Sequence, residues 1–344
     1  MTKRICIFLA LFIMGTSARA VLFSKEYRLS SPDGNLAVTV SAGRQLSFSV
    51  SRGDDPVILS SPVAMRLQAP VNPGINVRVK GVHRESHDRT LRPVIRVKRA
   101  EIQDQFHEMK LRCKGGYSVI FRAYNEGMAY RFETQLSDSL IVQSEIANFK
   151  FPAHSHVYFP GETGFISHNE CNYRYLPVSA VTQDSLASLP MLVTTDAGRH
   201  VLITESDLRD YAGMWLRGDG ASGLTAAFPP VVLRAEPKPE VEDRAERIVK
   251  EADFIAKTAG TRCFPWRVFV IAEQDADLVE SELVYKLAAP LAIKDPSWIR
   301  PGKVAWDWWN ANNIYGVDFR AGVNTETYKH YIDFAADHGI EYVI

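Results

Sequence analysis

The sequence predicts a mainly β protein: a large antiparallel sandwich followed, near residue 303, by one β-α-β unit of a parallel sheet. Three observations carry this reading. Two segments read as hairpins, one with strict apolar alternation. Over most of the chain no strand alternates regularly with a helix, the pattern that builds antiparallel sheets. A capped amphipathic helix then lies between two short strand-like runs, the repeat of a parallel barrel or doubly wound sheet.

Each element follows in chain order. Lys3 and Arg4 precede an unbroken apolar run over residues 5–14, and Ala18-Arg19-Ala20 forms an A-x-A cleavage pattern. This reads as a secretory signal peptide over residues 1–20. A membrane-spanning helix needs about 20 apolar residues, so the run is too short to span. The mature protein is expected to be soluble and exported, secreted or periplasmic.

Leu36, Val38 and Val40 alternate with polar residues, Ala42-Gly43-Arg44 intervenes, and Leu46, Phe48 and Val50 alternate again. That is a hairpin with one apolar face. A second hairpin runs from Tyr117 through Asn125-Glu126-Gly127 to Phe132, where Asn and Gly tolerate the left-handed backbone that such a turn requires. Short strands are expected at residues 191–194, 200–204 and 267–271. Pro229, Pro230, Pro237 and Pro239 interrupt the region, and the mixed-charge run at residues 240–251 reads as a solvated loop. Val279, Leu283 and Leu287 recur at spacing four after Asp275 and predict a short helix.

Residues 289–302 hold Pro290, Pro296 and Pro301 and read as a stiffened linker between a sandwich domain at 21–288 and a second domain starting at 303. Residues 303–306 look like a strand. Asn324 is placed to cap a helix. Tyr328, Tyr331, Ile332 and Ala335 form its apolar stripe, and Gly339 ends it. Residues 340–344 begin another strand. One β-α-β unit cannot bury its own faces, so the sequence reads as the N-terminal part of a longer chain.

Composition narrows the function. The chain has 344 residues, 46% of them apolar, with 40 basic residues against 40 acidic ones. Nucleic-acid binders normally carry a basic excess on one face, so nothing in the composition points to that partner and no nucleic acid is expected. Cys6 leaves with the signal peptide. Cys113, Cys171 and Cys263 show no metal-like spacing and read as three half-buried thiols. Glu126, Glu162, Glu170 and Glu273 read as structural or solvated. A mutarotase would need a His and Glu pair, and His154, His156, His168 and His200 show no such arrangement.

The densest chemistry is Trp306-Asp307-Trp308-Trp309-Asn310. It sits at the C-terminal end of what would be a first barrel strand, where (β/α)8 enzymes build their active sites. Trp faces stack on the C–H faces of sugars, and Asp or Asn beside them bond hydroxyls. The bland alternative is a core strand followed by a buried loop.

The stretch from Gly302 through Trp306-Asp-Trp-Trp-Asn310 to Phe319, with Asn324-Thr-Glu-Thr-Tyr-Lys329 and Tyr331-Ile-Asp-Phe-Ala-Ala-Asp-His-Gly339, resembles glycoside hydrolase family 97. So do Phe121-Arg-Ala-Tyr-Asn-Glu-Gly-Met-Ala-Tyr-Arg-Phe132, Leu202-Ile-Thr-Glu-Ser-Asp-Leu208 and Ala259-Gly-Thr-Arg-Cys-Phe-Pro-Trp-Arg-Val268. The resemblance implies a galactose-mutarotase-like β-super-sandwich followed by a (β/α)8 catalytic domain, here truncated after its first β-α-β unit. It implies cleavage of terminal α-linked sugars, with Ca2+ at the active site. The Trp-Asp-Trp-Trp-Asn form is closer to the α-galactosidase branch than to the α-glucosidases.

The family's catalytic carboxylates lie on later barrel strands, beyond Ile344, so no residue here is assigned as nucleophile, general acid or general base. Trp306, Asp307, Trp308, Trp309, Asn310 and, from the sandwich side, Phe228 are the expected substrate-binding residues. Glu205 follows the apolar run at residues 200–204 and falls in the stretch that matches the family's sandwich-derived calcium ligand. Its plain alternative is an exposed pair with Arg209 or Arg217. The competing function is a non-enzymatic carbohydrate-binding sandwich, which would not need a linker into a β-α-β unit.

Overall fold

The computed structural model describes residues 24–240 and 245–344, so the predicted signal peptide lies outside the described residues. The chain divides into two compact units. The larger comprises residues up to Leu91 together with Ile102–Ala288, and the smaller comprises Arg92–Glu101 with Ala289–Ile344. Among the described residues, no helix is long and apolar enough to cross a membrane.

The larger unit is mainly β. Leu36–Ala42 pairs antiparallel with Leu46–Arg52, placing Val38 opposite Val50 and Val40 opposite Phe48. All four are buried, because a period of two sends every second side chain to the same face. The 24-residue strand Gly127–Lys150 binds the unit together. Its first part pairs with Tyr117–Tyr124 and Trp266–Ala272, its middle with Ala256–Cys263, and its last part with Asp55–Leu67 and Gly223–Ala227. Around it Phe48, Phe121, Tyr130, Phe149 and Phe269 fill the main core, with Phe149 edge-on to Phe269 at 4.9 Å. Each such buried ring contributes roughly 1.5–3 kcal/mol.

Trp266–Ala272 is buried along its whole length. Phe269 and Ile271 face the main core. Trp266, Val268 and Val270 face a second cluster completed by Leu283 and Leu287. A charged residue on this strand therefore has no route to solvent, and it carries one, Arg267.

Three expectations need correction. The charged run is not all loop: Glu246–Glu251 pairs with Val232–Pro237 as a two-stranded ribbon. Its charges stay solvated because both faces of that ribbon are largely exposed. The helix after Asp275 is two helices, Asp275–Glu280 and Leu283–Leu287, broken where Ser281 turns extended. Glu126 holds the break, accepting from the Ser281 hydroxyl at 2.6 Å and the Glu282 amide at 3.3 Å. Leu283 and Leu287 are buried as the spacing implies, whereas Val279 is exposed. In the second hairpin the positive φ falls on Gly127 and not on Asn125. Finally, the thiols are not alike: Cys113 is buried, Cys171 half-buried and Cys263 exposed.

Burial pushes the Cys113 thiol up to about 11. Iodoacetamide at mildly alkaline pH is therefore expected to label Cys263 in the native protein and to reach Cys113 only in denaturant. Peptide mass mapping checks this, and native labelling of Cys113 would contradict its place in the core.

In the smaller unit Val304–Ala305 pairs in parallel with Tyr342–Val343, with the helix Thr325–Asp337 between them in the chain. The Asn324 side chain caps that helix, accepting from the Thr327 amide at 2.9 Å. Gly339 leaves it at φ 61°. Thr327 and Ala335 are its buried residues, while Ile332 of the predicted stripe is exposed.

Candidate functional site

Two of the residues singled out in the sequence, Glu205 and Phe228, meet in one buried cluster of the larger unit. On His200–Ser206, Val201, Ile203 and Glu205 share the inward face, so Glu205 takes a core-facing position at the strand's end. Directly across the ladder stands Arg267. Its Nη1 donates to Glu205 Oε2, while Nε and Nη2 clasp Glu145 Oε1 and Oε2 at 2.8 and 2.7 Å. This is the two-pronged geometry that a planar guanidinium offers a carboxylate. The Tyr211 hydroxyl donates to Glu145 Oε2 at 3.0 Å. The Phe228 ring lies 5.2 Å and the Tyr211 ring 6.0 Å from the guanidinium carbon.

The cluster is nearly dry: the Arg267, Glu145 and Glu205 side chains are 1%, 3% and 12% exposed. Glu205 is therefore not the exposed partner of Arg209 or Arg217. Arg209 pairs with Asp207 at 3.2 Å instead. Burial pushes the Glu205 carboxyl above its ordinary value, against the pull of Arg267. The Glu145 and Glu205 carboxylates in turn raise Arg267 despite its burial.

The loop after Glu205 returns over it. Asp207 and Asp210 take left-handed conformations at φ 56° and 47°. Arg262 ties the loop down by donating to the Asp210 and Arg209 carbonyls at 2.9 and 2.7 Å. The Met214 amide then reaches both Glu205 oxygens, at 3.1 and 3.2 Å.

Trp306 to Asn310 lie in the smaller unit. Asp307–Asn310 form a turn of 3₁₀ helix directly after the short strand. Asp307 is buried and organises this turn. It accepts from the Tyr328 hydroxyl at 2.5 Å, the Trp308 amide at 2.7 Å and the Asn312 side chain at 3.1 Å. The Tyr328 hydrogen bond, foremost among these, holds its carboxyl below the usual value. Ala311 and Asn312 follow with φ 50° and 57°, two successive left-handed residues at the end of the helical turn. For Ala this is uncommon and costs energy. Trp306, Trp308 and Trp309 are 48%, 68% and 82% exposed, so they are not core residues of this unit. The side chain of Asn310 lies outside the described residues.

Residues 29–290 match the family model described as Glycosyl-hydrolase 97 N-terminal, and residues 308–344 match Glycoside hydrolase 97. The chain belongs to glycoside hydrolase family 97. It is 38% identical over 334 residues to a retaining alpha-galactosidase of Bacteroides thetaiotaomicron, covering 93% of this chain and 50% of that protein. It is 24% identical over 319 residues to a probable retaining alpha-galactosidase of Streptomyces bingchenggensis, covering 92% of this chain and 44% of that one. A family 97 enzyme from Pseudoalteromonas sp. strain K8, solved in complex with acarbose, shares the fold. It matches with a TM-score of 0.77 at 24% identity, over 92% of this chain and 46% of that chain. The chain thus spans about half the length of the curated relatives it matches.

Calcium takes six to eight oxygen ligands. Among the described residues no group of three or more His, Cys, Asp or Glu could hold a metal ion. Those residues therefore hold no such group by themselves, and the Glu205 carboxylate is an oxygen donor of the kind calcium takes. Among the described contacts Oε1 accepts from the Met214 amide alone. Two carboxylates face one guanidinium, a formal charge of −1. Residue 213 is glycine, so the place where a Cβ would come within 3.4 Å of Oε1 is left open.

Sequence reasoning selected Glu205 and Phe228 but missed Arg267, Glu145 and Tyr211. Arg267 did leave a signal: it is a lone charge inside Trp-Arg-Val-Phe-Val-Ile-Ala, a strand otherwise apolar throughout.

Proposed function

We propose that this chain is the N-terminal part of a calcium-dependent glycosidase that removes terminal α-linked sugars, α-galactosides in preference to α-glucosides. The observation that carries this reading is the 38% identity, over 93% of the chain, to a retaining alpha-galactosidase. In this reading residues 1–20 direct export to the periplasm or beyond. Residues 21–288 form a galactose-mutarotase-like sandwich, 289–302 a linker, and 303–344 the opening of a (β/α)8 barrel.

Glycoside hydrolysis needs one carboxyl group at the leaving oxygen and a second at the anomeric carbon, about 5–5.5 Å apart when configuration is retained. That pair belongs to later barrel strands. Calcium, when bound, polarises the site and helps to orient a carboxylate or water there. Glu205 supplies one of its ligands. Trp308 and Trp309, with Trp306 beside them, offer exposed faces to the sugar, Asp307 holds the turn that presents them, and Asn310 and Phe228 add further contacts.

Steady-state kinetics on the full-length protein test this. Turnover of an aryl α-galactoside with a higher kcat/KM than the matching α-glucoside is expected, and no turnover of either by the 344-residue chain alone. Faster turnover of the glucoside would reverse the sugar assignment, and inactivity of the full-length protein on both would refute the enzyme reading. In the same assay Trp308→Ala and Trp309→Ala are expected to raise KM several-fold, and wild-type constants in both would remove the aromatic platform.

A further inference from the structure

The cluster around Arg267 is asymmetric. Glu145 is 3% exposed, with Oε1 bonded by Arg267 Nε and Oε2 shared by Nη2 and the Tyr211 hydroxyl. Glu205 is 12% exposed: Oε2 is held by Arg267 Nη1 and the Met214 amide, whereas Oε1 accepts only the Met214 amide among the described contacts and lies beside Gly213. A carboxylate oxygen can accept two bonds, so Oε1 keeps one acceptor position.

One carboxylate is enough to balance the charge of one guanidinium. The second adds buried negative charge that Arg267 alone does not balance, and such a charge is costly in a dry interior. A cation on the open oxygen would offset it. The arrangement also fixes the side chain beforehand. A free glutamate gives up rotamer freedom when it takes a metal, whereas one already held on its other oxygen gives up less.

We propose that Arg267 and Glu145 are positioning residues: Glu145 anchors the guanidinium, and the guanidinium holds Glu205 so that Oε1 is offered to calcium. This rests on the reading of Glu205 as a calcium ligand. The Phe228 and Tyr211 rings, against the guanidinium, complete the support by excluding water from its faces.

Calcium titration of the full-length protein by calorimetry, beside thermal melting with and without calcium, tests the proposal. Glu205→Gln is the control for the ligand reading and is expected to weaken binding most. Glu145→Gln removes one anchoring acceptor and is expected to weaken calcium binding about 10–100-fold, the usual effect of removing a ligand's supporting partner. The calcium-induced rise in melting temperature should shrink with it. If Glu205→Gln weakens binding and Glu145→Gln binds as the wild type does, the positioning role is overturned while the ligand reading stands. If Glu205→Gln itself binds calcium normally, the ligand reading fails and takes this inference with it. A purely structural Glu145 would lower the melting temperature equally with and without calcium and leave the dissociation constant alone, which also overturns the proposal. Should Glu145→Gln fail to fold, Tyr211→Phe decides the matter. It removes only the hydroxyl on Glu145 Oε2, and unchanged calcium affinity in that variant refutes the positioning network.

Discussion

Arg267→Met in the full-length protein, measured by urea unfolding in the presence of a chelator, is expected to destabilise the larger unit by about 3–5 kcal/mol. That is the usual cost of leaving a buried charge without its partner, and a large share of the roughly 5–15 kcal/mol that holds a domain folded. The reason is geometric. Arg267 is 1% exposed and donates to two carboxylates that have almost no water to turn to. Met matches the stem of the side chain only as far as Nε, so the loss reports the missing guanidinium, both its charge and the buried space it filled. Adding Glu145→Leu should restore part of the stability, because replacing a buried ion pair outright by apolar groups is often neutral. A loss below about 1 kcal/mol, the range of exposed pairs, would mean that water reaches the cluster and that the pair is ordinary.

That cluster also shows what the sequence could and could not reveal. The hairpin at residues 36–52 was legible because its apolar residues alternate strictly and one face is buried. Helix 325–337 was legible from its cap, and Glu205 from its place at the end of an apolar strand and from the family motif. Val79–Leu91 was not: its side chains are almost all polar or exposed, and it is a strand because it pairs with Ile102–Cys113. Glu145 was hidden for a different reason. Along Gly127–Lys150 the inward residues include Leu140 and Val142, then Glu145, Ala147 and Phe149. The phase flips at Gln143, where Leu67 faces Val142 but Arg66 faces Ser144. One unpaired residue thus turns Glu145 inward, and a bulge of this kind leaves no mark in a period-two pattern. The Arg267 signal was present, but a lone Arg in a strand finds its meaning only once both faces of that strand are known to be covered. The exposed Trp side chains were readable as a cluster. The internal role of Asp307 was not, because its partner Tyr328 lies 21 residues away on the helix.

Gly127→Ala is expected to cost about 3 kcal/mol or more, and two separate effects contribute. Gly127 sits at φ 152°, a conformation that L residues rarely adopt, and such strain costs about 1–3 kcal/mol. A Cβ there would also stand 2.1 Å from the Phe269 carbonyl oxygen and 3.0 Å from the Val270 Cα. The obstacle is backbone and cannot rotate away. Its strand, Trp266–Ala272, is packed on both faces and has no free direction in which to move. Overpacking of this kind adds roughly 1–3 kcal/mol. Gly53→Ala separates the two effects, since Gly53 also has a positive φ, 58°, but nothing lies within 4 Å of its Cβ position. It should lose only about 1 kcal/mol, from the left-handed backbone. Equal losses in the two variants would show that the strand yields and that the close approach at Gly127 is soft. A markedly larger loss at Gly127 would show that the strand carrying Arg267 is held rigidly, as a support for Glu205 requires.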